Sequence, residues 1–305
     1  MRNVLPPQLH VFVRDWLSSN NILLKSRDGH VLIDSGYVRH APLTLALLAS
    51  ERGLGHDPLA KLVNTHCHSD HMGGNAAVAR AYDCPIAVPE GERPLIERWD
   101  EVALWIGYAG QSAERLTPDE SLYAGERYVW GDLEWHALAA PGHDMGALVF
   151  FNAEHGILIS GDALWQNGFG VVMPPEVDPA ALPATRATIE MLAELPIRVV
   201  VPGHGEPFTD VAGALDRAFE RVAAFEADPM RMARQVVKVM FVFALLDSQR
   251  IEAAKVAPYL ENIAMYRDFN ARFFRRPTAE LAAWLVGDLE KSGAIRREGD
   301  CFVPG

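Results

Sequence analysis

Apolar residues fall along this chain in two rhythms. Over roughly the first two hundred positions they come as short runs closed by Gly, Asp, Asn or Pro. Asn21-Ile-Leu-Leu-Lys25, His30-Val-Leu-Ile-Asp34, Lys61-Leu62-Val63-Asn64 and Pro85-Ile-Ala-Val88 are followed by Ala147-Leu-Val-Phe-Phe151, Gly156-Ile-Leu-Ile-Ser160 and Arg198-Val-Val-Val201. Runs of this length and composition read as buried strands. Leu9-His-Val-Phe-Val13 alternates weakly and reads as a first strand. Arg27-Asp28-Gly29 and Gly131-Asp132 each separate a pair of strand-like pieces, which predicts two hairpins. Segments of helical period lie between the strands: the Ala- and Leu-rich stretch 41–53, Asn75 to about Tyr82, and Pro183 to Glu194 with Leu182, Ile189 and Leu192 on one side. Leu95, Ile96, Trp99, Val102, Ala103 and Ile106 also recur at helical spacing. Strands alternating with helices predict an α/β fold.

After Pro207 the helical rhythm takes over. Leu215, Phe219, Val222 and Phe225 form a stripe, and Met230 to Leu246 becomes apolar on nearly all sides, as in a helix buried within the molecule or in a homodimer interface. Tyr259 to Phe274 reads as a further helix, and Ala279 to Ser292 as another, capped by Pro277-Thr278 and stopped at Gly293. Ala294-Ile-Arg-Arg and Cys301-Phe-Val, around Glu298-Gly-Asp300, read as a closing hairpin. The expected division is a catalytic unit over 1–210 and a helical unit over 211–305.

Composition narrows the class. At 305 residues and 49% hydrophobic, the chain can bury a sizeable core. Its net charge of −12 is uneven: residues 1–210 hold 14 Lys and Arg against 27 Asp and Glu, and residues 211–305 hold 14 against 13. An acidic front unit repels phosphate backbones, so nucleic acid is not an expected partner. The opening Met-Arg-Asn-Val-Leu-Pro-Pro is followed by no long apolar run, and Val239 to Leu246 is too short to span a bilayer. Three scattered cysteines do not make a disulfide framework, and a cytoplasmic location is expected.

The chemistry concentrates in residues 62–75. His66, His68, Asp70 and His71 stand within six positions, after a short strand and before Gly73-Gly74. Imidazole and carboxylate are the donors that borderline-soft divalent ions favour. His66 and His68, two apart, share one face of an extended segment, while Asp70 and His71 follow in the turn. Cys67 must then point the opposite way and reads as a packing residue. Three further donors close strands or tight turns: His143 in Ala140-Pro-Gly-His143-Asp144, Asp162 after Ile157-Leu-Ile-Ser-Gly, and His204 after Val199-Val-Val-Pro-Gly. Five His and two Asp are enough for two metals about 3.5–4 Å apart, the spacing of two-metal hydrolytic sites. The other six His read as surface or turn residues.

The run His66-x-His68-x-Asp70-His71, with His143, Asp162 and His204, resembles the metallo-β-lactamase superfamily over residues 9 to about 208. Within it the chain looks most like the glyoxalase II and thioesterase branch. The resemblance implies an αββα sandwich, with the C-terminal helix and hairpin similar to a degenerate winged helix. It implies that His66, His68 and His143 hold one metal, that Asp70, His71 and His204 hold a second, and that Asp162 bridges them. Asp34, in the Asp-x-Gly that many members carry here, would orient a ligand His. After His143 the glyoxalase II pattern Thr-x-Gly-His is replaced by Asp144-Met145-Gly146-Ala147. Trp165 stands where acyl-homoserine lactonases carry a Tyr.

These features imply a dinuclear metal-dependent hydrolase of a carbonyl ester-type bond in a small acyl substrate, with a thioester preferred over a lactone. The cofactors expected are two divalent metal ions, zinc first, with iron or manganese open on ligand chemistry alone. Asp70 and Asp162 would carry the catalysis. No Gly-x-Ser-x-Gly nucleophile is present. Trp99, Trp105, Tyr108, Trp165 and Phe169 are the aromatic candidates for the substrate pocket. Arg272, Arg275 and Arg276 form a local basic cluster suited to an anionic group. The rival readings are a lactonase, a mononuclear iron persulfide dioxygenase, and a metal-bearing regulator acting through the C-terminal helices. A secreted β-lactamase would lack Asp162, and the acidic charge speaks against a nuclease.

Overall fold

The computed structural model describes residues 5–27 and 29–305. The four N-terminal residues and Asp28 of the expected Arg27-Asp28-Gly29 turn lie outside the described residues. The first half of the chain forms β1 (Leu9–Phe12), β2 (Asn21–Leu24), β3 (His30–Ile33), α1 (Ala41–Ala49), β4 (Leu59–Val63), the single turn α2 (Ser69–Met72), α3 (Asn75–Tyr82), β5 (Ile86–Pro89), α4 (Arg93–Arg98) and β6 (Glu120–Leu122). There follow β7 (Arg127–Trp130), β8 (Leu133–Ala139), β9 (Leu148–Asn152), β10 (Ile157–Gly161), α5 (Ala181–Ala193) and β11 (Val199–Pro202). The remainder is α6 (Val211–Ala227), α7 (Met230–Ser248), β12 (Ile251–Glu252), α8 (Val256–Asn262), α9 (Ala264–Phe269), α10 (Thr278–Ser292), β13 (Ile295–Glu298) and β14 (Cys301–Pro304).

Two sheets face each other. One has the order β1-β2-β3-β4-β5-β6 and the other β11-β10-β9-β8-β7. β3, β4, β5 and β6 run parallel, so the three connections between them are crossovers, and each contains a helix: α1, then α2 with α3, then α4. β2, β5, β9, β10 and β11 are buried at every position, which is why they read as continuous apolar runs rather than alternating ones. Trp135, Phe150, Ile22, Ile33 and Val63 belong to the cluster between the sheets. Leu48, Leu62, Val78 and Cys67 belong to a second cluster, which includes α1 and α3 residues on the outer side of the first sheet. α5 and α6 cover the second sheet through Ile189, Leu192, Ala218 and Phe225. This layering is the expected αββα sandwich.

The hairpin at Gly131-Asp132 forms as expected, with φ of +64° and +59° at the two turn residues. Residues 90–126 correct the sequence reading. The helix expected through Ile106 stops at Arg98, because Trp99 turns left-handed at φ +54°. The Asp100 carboxylate then takes the N–H groups of Val102 and Ala103 in a local turn that competes with helix. The helix expected from Tyr259 to Phe274 is likewise broken, at Ile263, whose ψ of 125° is extended. Arg267 donates to the Glu261 and Asn262 carbonyls and so satisfies the end of α8. α6 packs with the sandwich, so the cluster under the second sheet runs past residue 210. α7 to α10 form their own cluster with β13 and β14. The closing hairpin acquires β12 as a third strand, in the order β12-β14-β13. Among the described residues, no helix is long and apolar enough to cross a membrane.

Candidate metal centre

The donors lie at the ends of strands from both sheets. β4 ends at Val63, and the extended stretch after it sends His66 and His68 inward and buries Cys67 among the residues outside the first sheet. α2 then places Asp70 and His71 one turn on. The backbone needs Gly74 here, since a Cβ at that position would stand 2.6 Å from the Ser35 carbonyl oxygen. His143 lies in the turn before β9, Asp162 follows β10, and His204 follows β11. Gly203 makes the last approach possible: a Cβ there would fall on Asp162 Oδ1 and stand 2.9 Å from His71 Cε1.

Seven side chains are brought together in two groups, His66 with His68 and His143, and Asp70 with His71, Asp162 and His204. Within each group the donor atoms lie within 4.8 Å of one another. Asp162 stands between them. Its Oδ2 is 3.5 Å from His143 Nε2 and its Oδ1 is 3.3 Å from His71 Nε2. Asp70 Oδ2 is 3.1 Å from His204 Nε2.

The outer ring nitrogens decide what the inner ones offer. Thr65 Oγ1 spends its proton on Asp34 Oδ2 at 2.8 Å, so it accepts from His66 Nδ1 at 3.1 Å. His71 Nδ1 donates to Asp34 Oδ2 at 2.8 Å, and His143 Nδ1 donates to the Val171 carbonyl at 2.5 Å. His68 Nε2 lies 3.5 Å from Asp144 Oδ2. The nitrogens left facing inward are then lone pairs. His66 Nε2 and His71 Nε2 are buried without a hydrogen-bond partner among the described residues, and His68 Nδ1 faces His143 Nε2 at 2.9 Å. Two lone pairs at that distance call for a shared proton or a cation, so the donor set fits metal ions. Asp34 orients His71 as the sequence reading expects, and its own φ of +59° is left-handed.

The electrostatics separate the two groups, favouring neutral rings in the first and positive charge in the second. Burial, then His71 and His68, hold His66 well below the ordinary imidazole range. Burial, then His143, bring His68 down to about 4. Burial opposes a charge on His71 as well, but Asp34, Asp162 and Asp70 outweigh it and hold His71 well above its ordinary range. Burial also opposes charge on Asp162, and His71 and His204 outweigh that and keep it ionised. The second group is thus built around negative charge, as a cation site requires.

A small space of about 70 Å³ lies over the donors, with Trp105, Trp165, Val171 and Phe243 among its walls. Trp105 and Trp165 of the aromatic candidates therefore stand at the site, and Trp165 Nε1 donates to Asp162 Oδ1 at 3.2 Å. The other three do not. Trp99 packs outside the first sheet because the chain turns there. Tyr108 packs on the C-terminal cluster and donates its hydroxyl to Asp268. Phe169 is core, edge-on to Phe225 and beneath the Arg221 guanidinium at 4.9 Å. In the basic cluster, Arg272 donates to the Glu176 carbonyl.

Several members of the site escaped the sequence reading. Val239, Met240 and Phe243 of α7 reach it, and Trp16 stacks on His204 with the rings 7° from parallel. Asp144 meets His68, and behind it lies Glu92, whose carboxyl burial and the Asp144 charge hold well above the ordinary range. The two-sided apolarity of α7 was the one signal available for its contribution.

Comparison with known proteins agrees with this geometry. The family model described as the metallo-beta-lactamase superfamily matches residues 14–204. The chain is 30% identical over 124 residues to a hydroxyacylglutathione hydrolase of Rhodospirillum rubrum, a match covering 41% of each chain. The chain thus spans about two fifths of the length of that relative. A crystal structure of a metallo-beta-lactamase family protein from Thermus thermophilus superposes with a TM-score of 0.59 at 22% identity, over 98% of this chain and 99% of that one. The structure of TTHA1623 in a di-iron-bound form is 30% identical, with a TM-score of 0.54, over 68% of this chain and 98% of that one. With the donor run on its strand ends and the sandwich beneath it, the chain belongs to the metallo-beta-lactamase superfamily.

Proposed function

We propose that this protein is a dinuclear metal-dependent hydrolase that cleaves a carbonyl ester-type bond, with a thioester as the preferred substrate. The observation that carries the reading is the placement of Asp162, one carboxylate oxygen toward each donor group. A single ion would use only one of the two donor groups and one side of the Asp162 carboxylate. The name of the Rhodospirillum rubrum relative, a hydrolase of an acyl thioester, supports the choice of substrate bond.

His66, His68 and His143 would hold one ion, Asp70, His71 and His204 the other, and Asp162 would serve both. Such ions supply Lewis acidity and bring the pKa of water from about 15.7 toward about 7. The chain's own contribution is orientation. Trp165 Nε1 fixes Asp162 Oδ1, Asp34 fixes the His71 ring, and the Val171 carbonyl fixes the His143 ring. Asp70 and Asp162 are the carboxylates placed to accept a proton from an attacking water. Trp105, Trp165 and Phe243 wall the site against bulk solvent. Ser69 is the one hydroxyl side chain lining that space among the described residues, and its Oγ is engaged with Gln111. No protein nucleophile is therefore assigned.

The test is a panel of thioesters, lactones and phosphodiesters run on the purified protein and on Asp162→Ala. Thioester turnover that disappears in the variant is expected. Oxygen uptake with one iron per chain would replace this reading with the dioxygenase.

A further inference from the structure

The small space over the donors adjoins a groove of about 750 Å³, and Trp165, Val171, Val239 and Phe243 line both. That volume suits a ligand much larger than the group undergoing hydrolysis. One wall of the groove is a face of α7, and the other comes from the end of α10 and the last residues of the chain, Leu289, Ala294 and Pro304.

The α7 wall changes character along its length. Val239, Val242, Phe243 and Leu246 are apolar, at the spacing of a helix face, and only half-buried. The opposite face, with Val236, Val237, Phe241 and Leu245, is already in the core. The half-buried stripe is therefore a second apolar face, directed at the groove. Toward the helix N-terminus the same wall carries Arg231, Arg234 and Lys238. Arg231 and Arg234 share the single carboxylate of Asp228, each at 3.7 Å, and Lys238 pairs with Asp288 at 2.9 Å. Among the described residues no acidic side chain lines the groove. Three cations against the two carboxylates of Asp228 and Asp288 leave one positive charge uncompensated on this wall, in a chain of net charge −12. At 1.5 Å per residue, Arg231 lies about 12 Å before Val239 along the helix and Leu246 about 10 Å after it.

We infer that the substrate is an amphipathic acyl thioester with an anionic group on one side of the scissile bond and a long aliphatic chain on the other. The chain lies along Val242, Leu246 and Leu289, and the anionic group lies at Arg231, Arg234 and Lys238. This inference rests on the hydrolase reading above for the position of the carbonyl. A short neutral ester would leave both ends of the groove unused. A long chain without an anion would leave two arginines sharing one carboxylate.

The test uses the full-length protein and non-hydrolysable probes. Binding of S-ethyl-coenzyme A, S-dodecyl-coenzyme A and the uncharged S-dodecyl-N-acetylcysteamine is measured by calorimetry. Turnover of dodecanoyl and acetyl coenzyme A is followed on the same preparation. The expected affinity gain approaches about fourfold per methylene over the first added carbons, and exceeds about 100-fold from ethyl to dodecyl. The Arg231→Glu, Arg234→Glu double variant should weaken S-dodecyl-coenzyme A about tenfold and the uncharged probe much less. A dissociation constant independent of chain length, or equal for the charged and uncharged probes, would overturn the inference even if acetyl coenzyme A is hydrolysed. Chain-dependent binding without turnover of any thioester would instead overturn the hydrolase reading and, with it, the assignment of the ligand as substrate. The wild-type chain series stands by itself if the double variant fails to fold.

Discussion

Asp162 serves both donor groups with one carboxylate, so its loss should act on both. In Asp162→Ala, kcat should fall by about 100-fold or more, since metal assistance supplies several kcal/mol of the barrier. Steady-state kinetics on a thioester checks this, and a variant within twofold of the wild type would remove Asp162 from the account. Asp34 touches no reacting atom, yet it holds the His71 ring and the Thr65 hydroxyl that in turn holds His66. Asp34→Asn keeps the left-handed turn but loses the carboxylate, and metal affinity should drop about 10- to 100-fold in a chelator competition assay. Gly203→Ala should lose metal as well, because the added methyl falls on Asp162 and His71. The residues of the centre were legible because donor types closed apolar runs at His66 to His71, His143, Asp162 and His204. Asp144 and Glu92 were not, since a carboxylate in a turn carries no mark of what it meets in space.

At the scale of elements, the strands were read well and the irregular segments poorly. β2, β5, β9, β10 and β11 announce themselves because both faces of each are covered. Trp99, Val102 and Ile106 have the spacing of a helix stripe, but Asp100 captures the backbone between them and the stripe never becomes a face. The apolar spacing did not report burial here: Ile106 is buried, but Val102 is 61% exposed. α7 shows the reverse: its all-round apolarity is real, with one face in the core and the other over the site. Packing between the sheets predicts where stability resides. Phe150→Ala, at a fully buried position, should cost about 3–5 kcal/mol in chemical denaturation. Val129→Thr, 73% exposed, should stay within about 0.5 kcal/mol of the wild type.

For the whole molecule, the centre ties the two sheets together, since its ligands follow β4 on one side and β10 and β11 on the other. Ions bound there stabilise the folded chain by mass action. At a thousandfold excess over the dissociation constant this amounts to about 4 kcal/mol. Chelation should therefore lower Tm by several degrees without changing the far-ultraviolet circular dichroism, and restoring the metal should reverse the shift. The C-terminal helices belong to the same design, because α7 walls both the centre and the groove. Metal content of the purified protein by mass spectrometry, paired with His68→Ala and His204→Ala, decides whether the centre is dinuclear. About two ions per chain are expected, with one lost from each variant. One ion per chain in the wild type, unchanged in His204→Ala, would contradict a dinuclear centre.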